Sequence, residues 1–277
     1  MSSIKDRQRA AARARLEKEM AERASAARKR RQRQAIIGSA LAIVVIAGAA
    51  VWIVAALGND DDKKSADAAS APPAGTVACT WIPEDGSTGA KVKDVGTPPP
   101  NVPNVGKATM TMDTNLGAIT ADVDQAKAPC TAGAFTYLAS KQFWDNTKCH
   151  RLTTEGIKVL QCGDPTATGK GWRESDGSGG PSFRYAEENL PVNAKPAYPK
   201  GTIAMAKTSA PSSTGSQFFI VYEDTDLPPD YTVLGTISKG MDIVESVAKA
   251  GTDNANGKGD GHPKKEITIK TLTMAAA

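Results

Sequence analysis

The sequence contains few of the side chains on which hydrolases and metalloenzymes depend. Among its 277 residues are two histidines, His150 and His262, and neither lies near a serine or cysteine elbow, so a Ser-His-Asp hydrolase is poorly supported. The four cysteines lack Cys-x-x-Cys spacing, which argues against a zinc site. The glycine-rich stretch 175–180 lacks the Gly-Lys-Ser/Thr of a phosphate loop. We therefore expect no metal and no cofactor.

The stretch Asp253–Gly257 superficially resembles a calcium-binding loop. If Asp253 were the first ligand, Ala255 would occupy the third position, where a calcium loop has an oxygen ligand. Lys264 would occupy the twelfth position, where a bidentate Glu is needed. We interpret this stretch as a turn.

Basic residues are concentrated in residues 1–34. This segment has twelve Lys or Arg and four Asp or Glu, a net charge of +8, so the remaining residues carry +4 − 8 = −4. Its composition predicts a cytoplasmic segment that is polar nearly all round. The run Arg28–Arg31 would also bind phosphates non-specifically. We expect no specific nucleic-acid partner, because a long apolar stretch follows directly.

Residues 35–57 carry no charge and are long enough to cross a bilayer. As a helix, these 23 residues would measure roughly 34 Å, against a hydrocarbon core of about 30 Å. Basic residues before the span and Asp60–Asp62 after it predict a cytoplasmic N-terminus and an extracytoplasmic C-terminal region. A cleaved signal peptide is the alternative, since Ala47–Ala49 offers a small-residue cleavage pattern. The apolar run continues past that point, which favours an uncleaved signal-anchor.

Residues 58–104 have the composition of a disordered tether. They are rich first in Ala, Ser and Asp and then in Pro, which predicts an extended, semi-rigid connection. Only the more apolar piece 76–82 is expected to be ordered and to pack on the folded domain.

The pattern from residue 105 to residue 277 predicts a mainly β domain. Several short stretches alternate apolar with polar residues, as strands do, and the stretches after Pro129 and from Met241 have helical spacing. Many antiparallel strands with two short helices favour a closed barrel or a sandwich, because an open sheet leaves edges exposed. The pattern does not decide between them.

The stretch 148–165 predicts a hairpin that carries a polar pair. Branched and apolar residues lie on both sides of Thr-Thr-Glu-Gly, in which Gly156 is free to adopt a positive φ. The hairpin would place Arg151 near Gln161. A guanidinium and an amide side by side are suited to holding a peptide rather than cutting it.

These residues resemble the signature of the cyclophilins, which are prolyl cis-trans isomerases. The resemblance lies in His150-Arg151, Gln161 and Gly163-Asp164, and a second block, Gly-Ser-Gln-Phe-Phe-Ile at 215–220, resembles the most recognisable hexapeptide of the family. It covers about residues 107–274. It implies a closed eight-stranded antiparallel barrel with two capping helices.

The resemblance also implies a role for each site residue. Arg151 would direct its guanidinium at the nitrogen of the twisted prolyl amide, Gln161 would hold a substrate carbonyl, and Phe219 would form the floor of the proline pocket. Further substrate contacts are implied for Val159, Met205, Ala206, Gln217, Leu227 and Tyr231. Strand alternation places one of the adjacent rings in the core, and we assign Phe218 to it.

Several positions differ from the family pattern. They are two extra residues between Arg151 and Gln161, Lys158 in place of Phe, Lys207 in place of Asn, Asp226 in place of Trp and Tyr231 in place of His. Because Arg151, Gln161, Gln217 and Phe219 are intact, we expect an active enzyme with an altered pocket rim.

The four cysteines are disulfide candidates if the domain lies outside the cytoplasm. Cys149 and Cys162 flank the predicted hairpin at the ends opposite its turn, so they are the first predicted pair. Cys79 and Cys130 would then join the tether to the domain.

Together these features predict a monomeric, single-pass membrane-anchored isomerase. Its catalytic domain would act outside the cytoplasm on proline-containing segments of secreted or envelope proteins. The alternative is a non-catalytic module or chaperone that binds such segments without turning them over.

Overall fold

The computed structural model describes residues 71–87 and 89–277, and its central feature is an antiparallel sheet of ten strands. In the order in which they lie side by side, the strands are β15 (Asp260–Gly261), β8 (Arg151–Thr153), β9 (Val159–Cys162), β13 (Phe218–Val221), β12 (Thr202–Met205), β14 (Val233–Lys239), β6 (Gly117–Asp124), β5 (Lys107–Thr114), β16 (Thr268–Ala276) and β7 (Thr147–Lys148). The mainly β domain expected from the sequence pattern is present.

Strands β5 and β6 show how alternation builds the main core. Their inward residues are buried: Ala108, Met110 and Met112 on β5, and Ile119, Ala121 and Val123 on β6. The residues between them are more exposed, except Thr114 at the turn. Fully burying one Met, Ile or Val side chain stabilises the fold by about 1.5–3 kcal/mol, and each strand has two such positions and a buried Ala on one face, so its register is fixed.

Two short helices pack against the sheet, as the apolar spacing predicts. Helix α1 (Pro129–Ser140) begins at a proline, whose missing N–H is tolerated in the first turn, and it buries Phe135 and Leu138. Helix α2 (Met241–Ala250) buries Val244 and Val247.

The expectation of a closed eight-stranded barrel is wrong in strand number and in closure. The sheet is a curled half-barrel, and its terminal strands β15 and β7 do not pair with each other within the described residues. Both strands are only two residues long. The chain passes from β7 through Cys149 and His150 directly into β8. The two ends of the sheet are therefore connected by the covalent backbone rather than by a ladder of hydrogen bonds.

Residues 71–87 and 89–104, named here the N-terminal strap, are folded where a disordered tether is predicted. Strand β1 (Thr76–Ala78) pairs with β4 (Asn101–Pro103) inside the strap. Two further strap strands pair with the domain: β2 (Ile82–Pro83) with β11 (Phe183–Arg184), and β3 (Lys91–Lys93) with β10 (Gly179–Pro181). Strands this short have no apolar period to detect, which explains why the composition predicts a tether instead.

Covalent and apolar contacts fasten the strap to α1 and to β11. The Cys79–Cys130 disulfide is formed, as predicted. Trp81, within the piece expected to be ordered, meets Phe183 edge-on at 5.4 Å between ring centres. A Cβ on Gly133 of α1 would lie 2.5 Å from a methyl group of Val102, so only glycine allows the strap to approach this closely.

Neither helix of the described residues is long and apolar enough to cross a membrane. The predicted cytoplasmic segment 1–34, the predicted span 35–57 and the first part of the tether lie outside the described residues.

Candidate active site

Four neighbouring strands place one residue each in a row across the sheet. Arg151 on β8 is paired with Gln161 on β9, Gln161 with Phe219 on β13, and Phe219 with Ala204 on β12. Directly paired residues share a face of the sheet, so the guanidinium, the amide and the phenyl ring lie side by side. This face is opposite the main core, since the alternate residues Leu160 and Phe218 belong to that core.

Phe219 is the centre of a second apolar cluster on this face. Its side chain is almost fully buried, and its ring meets Tyr198 and Tyr231 edge-on, with ring centres 6.1 Å and 5.6 Å away. Other members are Val159, Ala197, Ala204 and Val221, with Ile157, Ala206, Leu227, Tyr231 and Val233 packed against them. An apolar cluster lined by aromatic edges is suited to a pyrrolidine ring.

The structure brings most of the predicted substrate-binding residues to this cluster. Val159, Ala206, Leu227 and Tyr231 all lie in it. Met205 does not, because it is fully buried in the main core, where it is paired with Phe218. Neighbouring residues of a strand point to opposite faces, so Ala204 occupies the place expected for Met205.

A chain of hydrogen bonds joins Arg151 to the loop before β10. The Gln217 amide nitrogen donates to the carbonyl oxygens of Gly177 and Gly179, at 2.8 Å and 2.9 Å. The Gln161 amide nitrogen donates to the Gln217 side-chain oxygen at 3.0 Å, and Arg151 Nη1 donates to the Gln161 side-chain oxygen at 3.3 Å. Each amide therefore has a fixed orientation, which turns the oxygen of Gln161 towards the guanidinium.

Asp164 holds the same loop from the inside. Its fully buried carboxylate accepts hydrogen bonds from the backbone N–H groups of Thr166, Gly177 and Gly179, at 2.7 Å, 2.6 Å and 3.1 Å. A Cβ on Gly179 would lie 2.0 Å from a carboxylate oxygen of Asp164. The sequence motif includes Asp164 but gives no indication of this structural role.

Asp260 is a residue of the site that sequence reasoning missed. Its carboxylate accepts two hydrogen bonds from Arg151, from Nε at 2.9 Å and from Nη2 at 2.6 Å. The hydrogen bond from Arg151 lowers the pKa of Asp260, and the same bond raises the pKa of Arg151. The two residues are 109 positions apart and Asp260 lies at the end of a turn, so no local pattern connects them.

His150 is buried beside the row formed by Arg151, Gln161 and Phe219, as expected for a packed histidine. It is 3% exposed, and neither ring nitrogen has a hydrogen-bond partner. Burial lowers the pKa of His150 to about 4, because the charged imidazolium would lose its hydration there. With Arg151 and Gln161 it borders a cavity of about 460 Å³, which extends to the 173–177 loop and to Asn256.

The predicted Cys149–Cys162 disulfide is also formed. Both cysteines are buried, and they stand two residues before Arg151 and one residue after Gln161. The covalent bond therefore joins the two strands that present the guanidinium and the amide.

Three of the positions that differ from the family pattern carry charges near the site. Lys158 donates its Nζ to the Thr154 carbonyl oxygen at 2.7 Å. Lys207 lies 3.5 Å from Glu187 as a largely buried ion pair next to Ala206. Asp226 is exposed beside Leu227.

Within the described part of the chain, no group of three or more His, Cys, Asp or Glu could hold a metal ion.

Comparison with known proteins gives one consistent family. A family model described as cyclophilin-type peptidyl-prolyl cis-trans isomerase/CLD matches residues 109–274. A probable peptidyl-prolyl cis-trans isomerase B of Mycobacterium leprae is 44% identical over 174 residues, 59% of this chain and 55% of that protein. A protein of the same name from Mycobacterium tuberculosis is 39% identical over 199 residues, 65% of this chain and 61% of that protein. This chain thus spans less than two thirds of the length of either relative.

A solved structure with a similar fold is the Cryptosporidium parvum cyclophilin-type peptidyl-prolyl cis-trans isomerase, crystallised in the presence of the dipeptide Ala-Pro. It is 25% identical and gives a TM-score of 0.50, and the match covers 61% of this chain and 99% of that one.

Proposed function

The chain belongs to the cyclophilin-type peptidyl-prolyl cis-trans isomerases, and we propose that its Arg151–Gln161–Phe219 row catalyses rotation about X-Pro bonds. The observation that carries this proposal is the row itself, in which a fixed guanidinium stands two strands away from an apolar floor. A proline ring on Phe219 would bring its own amide within reach of Arg151. The solved relative crystallised with Ala-Pro supports a proline-containing ligand.

The chemistry needs neither a nucleophile nor a change of oxidation state. Rotation about the peptide bond has a barrier of roughly 18–20 kcal/mol, because twisting removes the resonance between nitrogen and carbonyl. The twisted nitrogen has a localised lone pair and becomes a hydrogen-bond acceptor. Arg151 can donate to that lone pair only in the twisted state, so it lowers the barrier by binding the transition state more tightly than the planar amide.

Gln161 and Phe219 supply orientation. The amide of Gln161 is held between Gln217 and Arg151, so it presents a fixed edge to the backbone of a bound segment. Phe219, Tyr231 and Leu227 would exclude water from the prolyl ring. These contacts would hold the prolyl ring while the preceding carbonyl rotates. The binding energy of the ring is then used to orient the reacting amide.

The clients that we propose are proline-containing segments of secreted or envelope proteins, and the proposed location is the outer side of a membrane. The charge-free segment 35–57, with basic residues before it, supports a single-pass anchor with a cytoplasmic N-terminus. Two disulfides in the described residues support an oxidising compartment.

The test is the rate of cis-to-trans conversion of a proline tetrapeptide in the presence of the full-length chain, purified in mild detergent. We expect Arg151→Ala to lower kcat/KM about 100-fold, since losing one donor to developing charge commonly costs that much. Lys258→Ala is the matched control, because Lys258 is an exposed cation that pairs with Glu155 rather than with the site. If the natural protein and Arg151→Ala bind the peptide but neither accelerates its conversion, the chain is a binding module.

A further inference from the structure

Arg151 is held from the side away from Gln161 by the carboxylate of Asp260. We propose that Asp260 is a positioning residue of the isomerase, whose carboxylate fixes the Arg151 guanidinium in the orientation that meets the twisted prolyl amide. This inference rests on the proposed function and assigns a role to the turn 253–261, which the sequence pattern leaves without one.

The geometry leaves the guanidinium little freedom. A guanidinium has five N–H groups, and three are used here: Nε and Nη2 donate to the two oxygens of Asp260, and Nη1 donates to Gln161. Two N–H groups, one on each terminal nitrogen, remain for a substrate. Two parallel hydrogen bonds to one carboxylate fix both the plane and the direction of the fork, which a single bond would not do.

Asp260 is itself held in place from several directions. Its backbone is paired with Thr153 of β8, two residues after Arg151. Its Oδ1 accepts a hydrogen bond from the Asn256 side chain at 3.2 Å, and its carbonyl oxygen accepts one from the Asn256 backbone N–H at 3.0 Å. Asp260 is therefore held both by the sheet, through its pairing with β8, and by the turn, through Asn256.

The turn is built so that Asp260 can approach β8. The Gly259 carbonyl oxygen accepts a hydrogen bond from the Thr154 backbone N–H at 2.7 Å. Gly259 has φ +73°, and a Cβ there would lie 2.7 Å from the Glu155 side chain. On the other side of Asp260, a Cβ on Gly261 would lie 2.2 Å from an oxygen of Asp253. Both neighbours of Asp260 thus need to be glycine for this close packing.

Without the carboxylate, Arg151 would be an arginine about one third exposed and held by one hydrogen bond. Its side chain would then sample many rotamers and would have to be ordered during each turnover. A merely structural role for Asp260 predicts lost stability, whereas a positioning role predicts slower turnover of bound peptide.

The experiment measures kcat/KM and peptide affinity for the full-length chain and for Asp260→Ala, Asp260→Asn and Lys258→Ala. We expect Asp260→Ala to lower kcat/KM at least tenfold through kcat, while the dissociation constant of the peptide changes less than about twofold. Asp260→Asn keeps the shape of the side chain and one acceptor oxygen, so its activity should lie between that of the natural protein and that of Asp260→Ala. Lys258→Ala removes an exposed ion pair from the same turn and should leave the activity unchanged.

A double-mutant cycle separates positioning from general damage. If Asp260 acts through Arg151, Asp260→Ala should have no further effect in the Arg151→Ala background. An equal loss in both backgrounds, or full activity of Asp260→Ala, would overturn the proposal.

A second readout does not depend on activity. In a ¹⁵N NMR spectrum, the Arg151 Nε–H should give a resolved signal protected from exchange in the natural protein, and Asp260→Ala should abolish that protection. A protected signal that Asp260→Ala abolishes, in a natural protein that does not isomerise the peptide, would mean that the proposed function fails while the ion pair stands. An unprotected Nε–H in an active natural protein would refute the inference alone.

Discussion

At the scale of single residues, the site depends on how Arg151 is held. Gln161 contacts the guanidinium from one side and Asp260 from the other, and both carboxylate oxygens of Asp260 accept hydrogen bonds from Arg151. Arg151, Gln161 and Phe219 could be predicted from the sequence because they lie in two short motifs. Asp260 could not, since its pairing with Arg151 exists only after β15 has docked on β8.

His150 predicts a specific dependence of stability on pH. In the unfolded chain it titrates near pH 6.5, whereas burial keeps it neutral in the folded protein down to about pH 4. Between these values the unfolded state binds more protons, so the free energy of unfolding decreases as the pH falls from 6.5 to 4, by roughly 3 kcal/mol in total. Denaturant unfolding at pH 7 and at pH 4.5 measures this decrease.

The matched variant is His150→Gln, which has no proton to gain in this range. Asp253 and Asp260 have lowered pKa values in the folded protein. They change the free energy of unfolding mainly below pH 3.8, which lies below the range in which His150 titrates. The natural protein should therefore lose more stability than His150→Gln between the two pH values. Equal losses would show that His150 is already solvated in the folded state.

At the scale of secondary structure, the sequence predicts elements well where one face is buried over several residues. Strands β5 and β6 and both helices have such a face, and they lie where the apolar spacing places them. The strap strands β2 and β3 have two and three residues and pair with β11 and β10 about one hundred positions away. Pairing of this kind leaves no local periodicity, so composition alone predicts a disordered tether.

The Cys79–Cys130 disulfide predicts how the strap responds to a substitution. The bond joins two residues that are 51 positions apart. In the chain-entropy model, a crosslink over this separation stabilises the folded state by about 4 kcal/mol. We expect the double substitution Cys79→Ser and Cys130→Ser to destabilise the domain by up to that amount. Trypsin should then cleave the strap after Lys91 or Lys93, because β3 would be held only by noncovalent contacts, among them its three-residue ladder with β10 and the hydrogen bond from Lys93 Nζ to the Phe143 carbonyl oxygen.

The double substitution Cys149→Ser and Cys162→Ser provides the comparison. That disulfide closes a separation of only 13 residues, for which the same model gives about 3 kcal/mol. It does not fasten the strap, so trypsin should not cleave there faster. Strap cleavage at the natural rate without Cys79–Cys130 would mean that Trp81 and the paired strands suffice to hold it.

At the scale of the whole molecule, the sequence predicts a membrane topology. The segments that would set it lie outside the described residues. The basic segment 1–34 and the charge-free stretch 35–57 predict that the isomerase domain lies outside the cytoplasm. Protease added to intact cells with a permeable outer layer should release a soluble fragment that contains both disulfides. Complete protection of the C-terminal domain under these conditions would reverse the predicted orientation.

The half-barrel shows which part of the architecture the sequence does not determine. The strand pattern limits the fold to a barrel or a sandwich, and the family resemblance favours the closed form. Closure depends on hydrogen bonds between two strands of two residues each, β7 and β15, and the pattern says nothing about that pairing.

The central claim is that Arg151 stabilises the twisted prolyl amide more than the planar one. One NMR titration of a proline tetrapeptide with the full-length chain tests it, since the same spectra give the dissociation constant and the cis-trans exchange rate of the bound peptide. We predict that Arg151→Ala lowers the exchange rate about 100-fold while the dissociation constant changes less than about threefold. Equal losses in affinity and in exchange, or fast exchange without Arg151, would contradict the account.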